Sequence, residues 1–245
     1  DDLIEPLAQL FRDHVGSPDQ MEVVLKALLT SEHFFSTEVR GCMVKNPVDM
    51  TVGLIRSSLM PMPTADHFEA QYNVWSKVQI MMADASQAIG EPPNVAGWPA
   101  YYQAPLYDLL WMDSATTANR SIIFNRLGMT GMVTPMQLVT PADRGLMFVI
   151  NYVDLVSHFD QPSDPNSLVQ EVADMFYGVA VSPTVLGQLK TQYLLQGQVS
   201  DYYWTSAYNT YVADPSTTDP TASQVPGMLQ SLFLKMFEAA EFQLH

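Results

Sequence analysis

Apolar residues recur along this chain at spacings of three and four, the period of an α-helix that buries one face. Met21, Val24, Leu25, Leu28 and Leu29 make one such face. Phe68, Tyr72, Trp75, Val78, Met82, Ala85 and Ile89 make a longer one. Leu168, Val172, Met175, Phe176 and Val179 form a third, and Leu229, Leu232, Phe233, Met236, Phe237 and Ala240 a fourth. The pattern predicts helices near 3–15, 18–31, 47–60, 65–89, 115–127, 142–158, 165–179, 183–196, 199–212 and 225–240. No stretch holds the period of two that a half-buried strand requires. Met132 to Leu138 reads as a short irregular extended piece at most.

One helix-start signal repeats: a capping residue followed by proline, the order of N-cap and N1. It stands at Ser17-Pro18, Asn46-Pro47, Thr140-Pro141, Asp164-Pro165 and Ser182-Pro183. Gln20, Asp49 and Asp143 then occupy N3, where a side chain can complete a capping box or favour the helix dipole. Asn46, Pro47 and Asp49 are therefore read as structural residues. Proline and glycine cluster between helices at 90–110 and 128–141, and a polar loop follows at 214–220. The fold class is all-α: a multi-helix orthogonal bundle with long irregular Pro/Gly-rich loops and little or no β. It reads as one helical domain over 1–245, with a softer division near 130–140.

The segment from Glu91 to Pro99 stands out between two strongly helical stretches. Pro92, Pro93 and Gly97 fix or free the backbone at closely spaced positions. Two readings follow. In the structural one, Trp98 plugs the core between the 65–89 and 115–127 helices, and Asn94 caps chain ends with its side chain. In the functional one, Asn94 and Trp98 form the floor of a binding site edged by Tyr101, Tyr102 and Arg120. A buried Trp on a Pro-fixed backbone is what a packing corner needs, which favours the first.

Charge narrows the partners. The chain of 245 residues carries 11 basic and 26 acidic side chains, a net charge of -15. Nucleic acid and anionic membrane surfaces are recognised by Lys and Arg, so both are excluded as expected partners. The imbalance is steepest over 145–245, where ten acids face only Lys190 and Lys235. No apolar run reaches the roughly 18 residues of a membrane span. The scarce basic residues Arg40, Lys45, Arg56, Arg120 and Arg126 are each expected to have a carboxylate partner, with an Arg cluster that clamps an anionic ligand as the less favoured alternative. Cys42 is the one cysteine, so no disulfide forms within the chain, and it reads as a small buried hydrophobe.

Chemistry is sparse. His14, His33, His67, His158 and His245 are scattered, and no H-E-x-x-H or cysteine pair suggests a metal. Asp154 and His158, four apart, form only a weak metal signal. There is no G-x-S-x-G elbow and no phosphate-binding glycine loop. No cofactor and no catalytic residue is expected. Aromatics crowd two places: Tyr202, Tyr203, Trp204, Tyr208 and Tyr211, and the loop with Tyr101, Tyr102, Tyr107 and Trp111. Trp204, Tyr208 and Tyr211 have core spacing. The loop aromatics are better placed to bind a sugar or a protein.

Several of these segments together resemble the bacterial domain-of-unknown-function 1800 family. Leu28 to Phe35 followed by Arg40, then Val44-Lys45-Asn46-Pro47-Val48-Asp49 and Arg56, resemble its "S-x-x-F … I-K-S-P-V-E … R" stretch. Gln87 to Pro99 resembles its "G-Q-x-x-x-x-P-P-N-V-A-G-W-P" hallmark. Trp111, Ser114, Thr117 and Arg120 match "W-x-x-S-x-x-T-x-x-R", and Ala240 to Gln243 is similar to its "S-P-E-F-Q" ending. Asn46 and Asp49 replace the family's Ser and Glu, and Ala85-Ser86-Gln87 stands where it has Met-Gly-Gln. The family's members are longer and exported. The resemblance therefore implies the C-terminal half of a larger protein located outside the cytoplasm, whether periplasmic, cell-surface or secreted. Its genes neighbour those of a second exported family, which implies an exported partner protein. It carries no established activity.

The expected function is a non-catalytic extracytoplasmic helical module that binds a protein or a polysaccharide. The rival expectation is part of a hydrolase acting on a polysaccharide or anionic ester, with its site completed by a missing N-terminal half.

Overall fold

A computed structural model describes residues 2–98 and 111–245. The chain forms two compact units, Asp1–Cys42 and Met43–His245. The small unit is a helical hairpin, α1 (Ile4–Asp13) and α2 (Gln20–Leu29), followed by two 3₁₀ turns at His33–Phe35 and Thr37–Val39. Gln20 donates to the Phe11 carbonyl and ties the two helices. Pro18 does not open α2: the helix begins at Gln20, and its N-cap Asp19 makes no side-chain cap. The apolar face of α2 buries no residue within this unit; Met21, Leu25 and Leu29 are exposed. Cys42 is also exposed, against expectation, because it stands at the very end of this thin unit.

The large unit comprises α3 (Pro47–Ser57), α4 (Phe68–Asp84), α5 (Ser114–Asn125), α6 (Tyr152–Ser157), α7 (Pro165–Phe176), α8 (Pro183–Leu189), α9 (Tyr202–Ala213) and α10 (Val225–Phe237). It is all-α apart from one two-residue ribbon, β1 (Met132–Val133) antiparallel to β2 (Met147–Phe148), with Met132 opposite Phe148. Helix α10 is the axis. Its Leu229, Leu232, Phe233, Met236 and Phe237 are fully buried, and it packs on α5, α6 and α9. Phe176, Phe233, Phe237 and Phe242 stack edge-on or tilted, with centroids 5.2–6.2 Å apart. Such aromatic pairs add to the burial of their area. Among the described residues no helix is long and apolar enough to cross a membrane.

Three of the five Pro starts are built as the sequence predicts. Asn46 accepts from the Val48 and Asp49 amides, Asp164 from Asn166, and Ser182 from Val185. The region predicted as a helix over 142–158 differs. Pro141 opens only a 3₁₀ turn, Pro141–Asp143, and the helix proper is α6. Asp143 is drawn away to serve α4: its fully buried carboxylate accepts from the Ala70 amide at 3.1 Å and meets His67 Nδ1 at 2.7 Å. Glu69 returns the favour, accepting from the Val139 and Thr140 amides at 2.8 and 2.6 Å. Gly145, at φ +65, then turns the chain into β2.

This reciprocal capping also sets the rotation of α4. With Ala70 pinned inward, the buried face is Ala70, Val74, Val78, Met81 and Met82. The predicted stripe therefore splits: Val78, Met82 and Ala85 are core, whereas Phe68, Tyr72, Trp75 and Ile89 are exposed.

At the loop over 128–141 the backbone is tightly held. Helix α5 runs into a π turn, Arg126–Thr130. Tyr152 and Gln230 both donate to the Gly128 carbonyl. Gly131 sits at φ +64 against the Phe148 carbonyl, where a Cβ would lie 2.1 Å from that oxygen. Only glycine fits there.

Candidate functional site

Four of the motif residues, Lys45, Trp111, Arg120 and Gln243, converge on one hub in the interior. Arg120, on α5, is 1% exposed. It donates to the carbonyls of Trp111 at 3.2 Å and Lys45 at 2.7 Å, and to Gln243 Oε1 at 2.9 Å. These three partners come from widely separated stretches of chain, and a guanidinium fork is the side chain suited to join them. Among the described residues these donors meet carbonyl and amide oxygens. Asp113 starts α5 with a full capping box, accepting from the Ala115 and Thr116 amides while Thr116 Oγ1 accepts from the Asp113 amide.

Lys45 extends the hub. Its amide donates to the Gln243 carbonyl at 2.7 Å, and Val44 pairs with Leu244 in an isolated bridge. Its ammonium donates to the carbonyls of Phe242 at 2.8 Å and Phe176 at 3.3 Å, and lies 4.3 Å above the Phe242 ring. Phe176 ends α7, so the cation also meets the negative end of that helix dipole. Burial pushes the Lys45 ammonium down to about 8, with the Asp49 carboxylate working the other way. Asp49 and His245 meet at 3.2 Å on the rim of the same small cavity of about 270 Å³. The fastening explains why Lys45, Trp111, Arg120 and Gln243 stand in the motifs: they clasp the last residues onto α3, α5 and α7.

The Pro-rich segment is a separate surface feature. Pro92, Pro93 and Asn94 are exposed, and Trp98 is half-buried and outside the core cluster. Asn94 does cap, but locally: its Oδ1 accepts from the Ala96 amide at 2.8 Å and its carbonyl from Gly97 at 3.0 Å. Gly97 closes this turn at φ +95. Arg120 faces the interior, whereas Asn94 is on the surface. Tyr101 and Tyr102 lie outside the described residues. What holds the segment's approach is Gln87, whose Oε1 accepts from the Val48 amide at 2.9 Å and so joins the cap of α3. Sequence reading placed Gln87 in the motif without finding this second role.

The concave surface with binding character lies between α3 and α4. A cleft of about 590 Å³ is walled by Val52 and Ile55 from α3 and by Trp75, Val78 and Met82 from α4, with Met62 and Ile89 also lining it. Arg56 and Gln79 are its polar lining residues. Arg56 is exposed and makes no hydrogen bond or ion pair among the described residues. Trp75 is 48% exposed and stands edge-on to Tyr72, centroids 5.4 Å apart, with Phe68 one turn beyond. Helical periodicity alone assigned these aromatics to the core. The signal that separates them is the pinning of Glu69 and Ala70, which becomes visible only in three dimensions.

No metal chemistry gathers here. Among the described residues, no three His, Cys, Asp or Glu side chains are placed to hold an ion. His158 Nδ1 bonds the Asp154 backbone carbonyl at 2.8 Å, not its carboxylate. On α9, Trp204 and Tyr208 are buried, and Trp204 Nε1 donates to the Pro162 carbonyl at 3.0 Å.

One family model, described as a protein of unknown function (DUF1800), matches residues 1–244. No curated protein and no solved structure matches the chain.

Proposed function

We infer, for a chain that belongs to the DUF1800 family of proteins of unknown function, a non-catalytic role as a helical binding module. Its ligand class is protein or polysaccharide, and its binding surface is the α3–α4 cleft with the aromatic edge of Phe68, Tyr72 and Trp75. The observation that carries this reading is the exposure of that edge. Three aromatic side chains stand on the solvent side of α4 beside an apolar concavity. Contiguous exposed apolar surface of this kind marks an interaction site, and Trp and Tyr dominate binding energies where they occur. An extracytoplasmic setting is part of the proposal and rests on the resemblance to exported proteins. The hydrolase alternative draws no support from Asn94, Trp98 and Arg120, because Arg120 spends its donors inside the protein and Asn94 sits on its own surface turn.

The test is an array of purified polysaccharides and of peptides probed with the labelled full chain and with Trp75→Ala. Retention of at least one ligand by the wild type, lost in Trp75→Ala, is the expected result. Retention that ignores Trp75, or turnover of any arrayed polymer, would overturn the proposal.

A further inference from the structure

We propose that the occupant of the α3–α4 cleft is a polypeptide helix, amphipathic, with one carboxylate placed to meet Arg56. This rests on the binding-module reading and narrows it from two polymer classes to one. The lining decides between them. A saccharide presents hydroxyls all round and needs a matching array of donors and acceptors, whereas this cleft offers Arg56 and Gln79 amid apolar walls. An apolar helix face asks for what is present.

The geometry of the walls agrees. Val52, Ile55 and Arg56 are spaced i, i+3, i+4 on α3, and Trp75, Val78, Gln79 and Met82 are spaced i, i+3, i+4, i+7 on α4. Two packed helices presenting such rows leave a groove that accepts a third helix by its own i, i+3, i+4 anchors. Trp75 and Arg56 are of residue types enriched at binding hot spots. Met62, half-buried at the cleft, supplies adaptable apolar surface.

Charge fixes the polar part of the partner. Arg56 is a cation in a chain of net charge -15, and no carboxylate among the described residues pairs with it. The same acidic surface repels a partner bearing many acids, so the matching segment carries its carboxylate singly, flanked by apolar groups.

The experiment is selection of a displayed library of random 16-residue peptides on the immobilised full chain, followed by synthesis of the enriched peptides. The expected outcome is enrichment of sequences with apolar residues at i, i+3, i+4, i+7 and one Asp or Glu at a constant place. Binding of the synthetic peptide is lost in Trp75→Ala. Replacing its acid by the amide weakens binding to the wild type about fivefold at low salt and leaves binding to Arg56→Gln unchanged. Enrichment of peptides without a fixed acid, an acid effect that persists in Arg56→Gln, or no enrichment at all overturns the inference. If the chain retains a polysaccharide through Trp75 while no peptide is enriched, the binding module stands and the helix inference alone falls.

Discussion

Arg120 holds the backbone carbonyl of Lys45 at 2.7 Å, and the amide of that same Lys45 holds the carbonyl of Gln243, whose side chain returns to Arg120. The closed ring of hydrogen bonds joins the start of α3, the middle of α5 and the C-terminal 3₁₀ turn. Arg120→Met would fill the volume and orphan three buried acceptors. Each such loss costs on the order of 1 kcal/mol or more, so a destabilisation of about 2–4 kcal/mol is expected. Arg120→Lys recovers little, because an ammonium cannot reproduce the fork. Urea denaturation of both variants measures this; a loss below about 1 kcal/mol for Arg120→Met would show that the ring is dispensable.

Ser86 stands where the family pattern has glycine, and its φ is +77. A side chain in the left-handed region costs about 1–2 kcal/mol, partly offset by the lower entropy of a non-glycine unfolded chain. Ser86→Gly is expected to stabilise the protein by about 0.5–1 kcal/mol. The rise should appear as a higher urea midpoint at unchanged slope.

Lys45 links stability to alkaline pH. Its ammonium titrates near 8 when folded against an ordinary 10.5. Between those values the folded chain has released the proton and the unfolded chain still holds it. Unfolding then takes up a proton, so stability rises as pH climbs from about 8 toward 10.5. Burial of Tyr152 and Tyr177 raises both phenols above their ordinary 10, which works in reverse and removes stability as pH passes 10. A maximum between those limbs is expected in the wild type. Lys45→Met should weaken the rising limb, to which the Lys77 ammonium, also lowered by burial, still contributes, and keep the fall. A wild-type curve that is flat from pH 8 to 10 would rule the linkage out.

Gly128 and Gly131 stand three residues apart and should respond differently to alanine. At Gly128 the new methyl meets the tip of Leu234, 2.6 Å away, which can rotate aside. At Gly131 it meets the Phe148 carbonyl at 2.1 Å, in a backbone conformation that also disfavours it. Gly128→Ala is expected to cost about 1–2 kcal/mol and Gly131→Ala about 3 kcal/mol or more. Equal losses would mean that the β1–β2 ribbon yields freely.

What was legible in the sequence follows from the range of the interaction. Caps such as Asn46, Asp164 and Ser182 act over three residues and are read directly from the chain. The stripe of α10 was legible because it is buried on a broad face. The helix predicted over 142–158 failed because the Asp143 carboxylate is claimed by Ala70, 73 residues earlier, and no local pattern records that. The motif hub was visible as a set of residues but not as a ring, since Arg120, Lys45 and Gln243 meet only on folding. Asn94 reads correctly as a capping residue, yet its target is two residues away rather than another element.

Trp75 and Trp204 carry the sharpest contrast between the core and the proposed binding edge. Both fall on helical stripes. Trp204 is fully buried and donates to Pro162, whereas Trp75 is 48% exposed. Trp204→Ala removes a packed indole and orphans an acceptor, for an expected loss of about 3–5 kcal/mol. Trp75→Ala gives up half-exposed surface and should stay within about 1 kcal/mol of the wild type. The pairing matters for function: only if Trp75→Ala folds normally can its loss of ligand be assigned to the cleft. Thermal and urea unfolding of the two variants, run beside ligand retention, checks both halves of the argument. A Trp75→Ala protein as unstable as Trp204→Ala would return this indole to the core and leave the cleft without its aromatic edge.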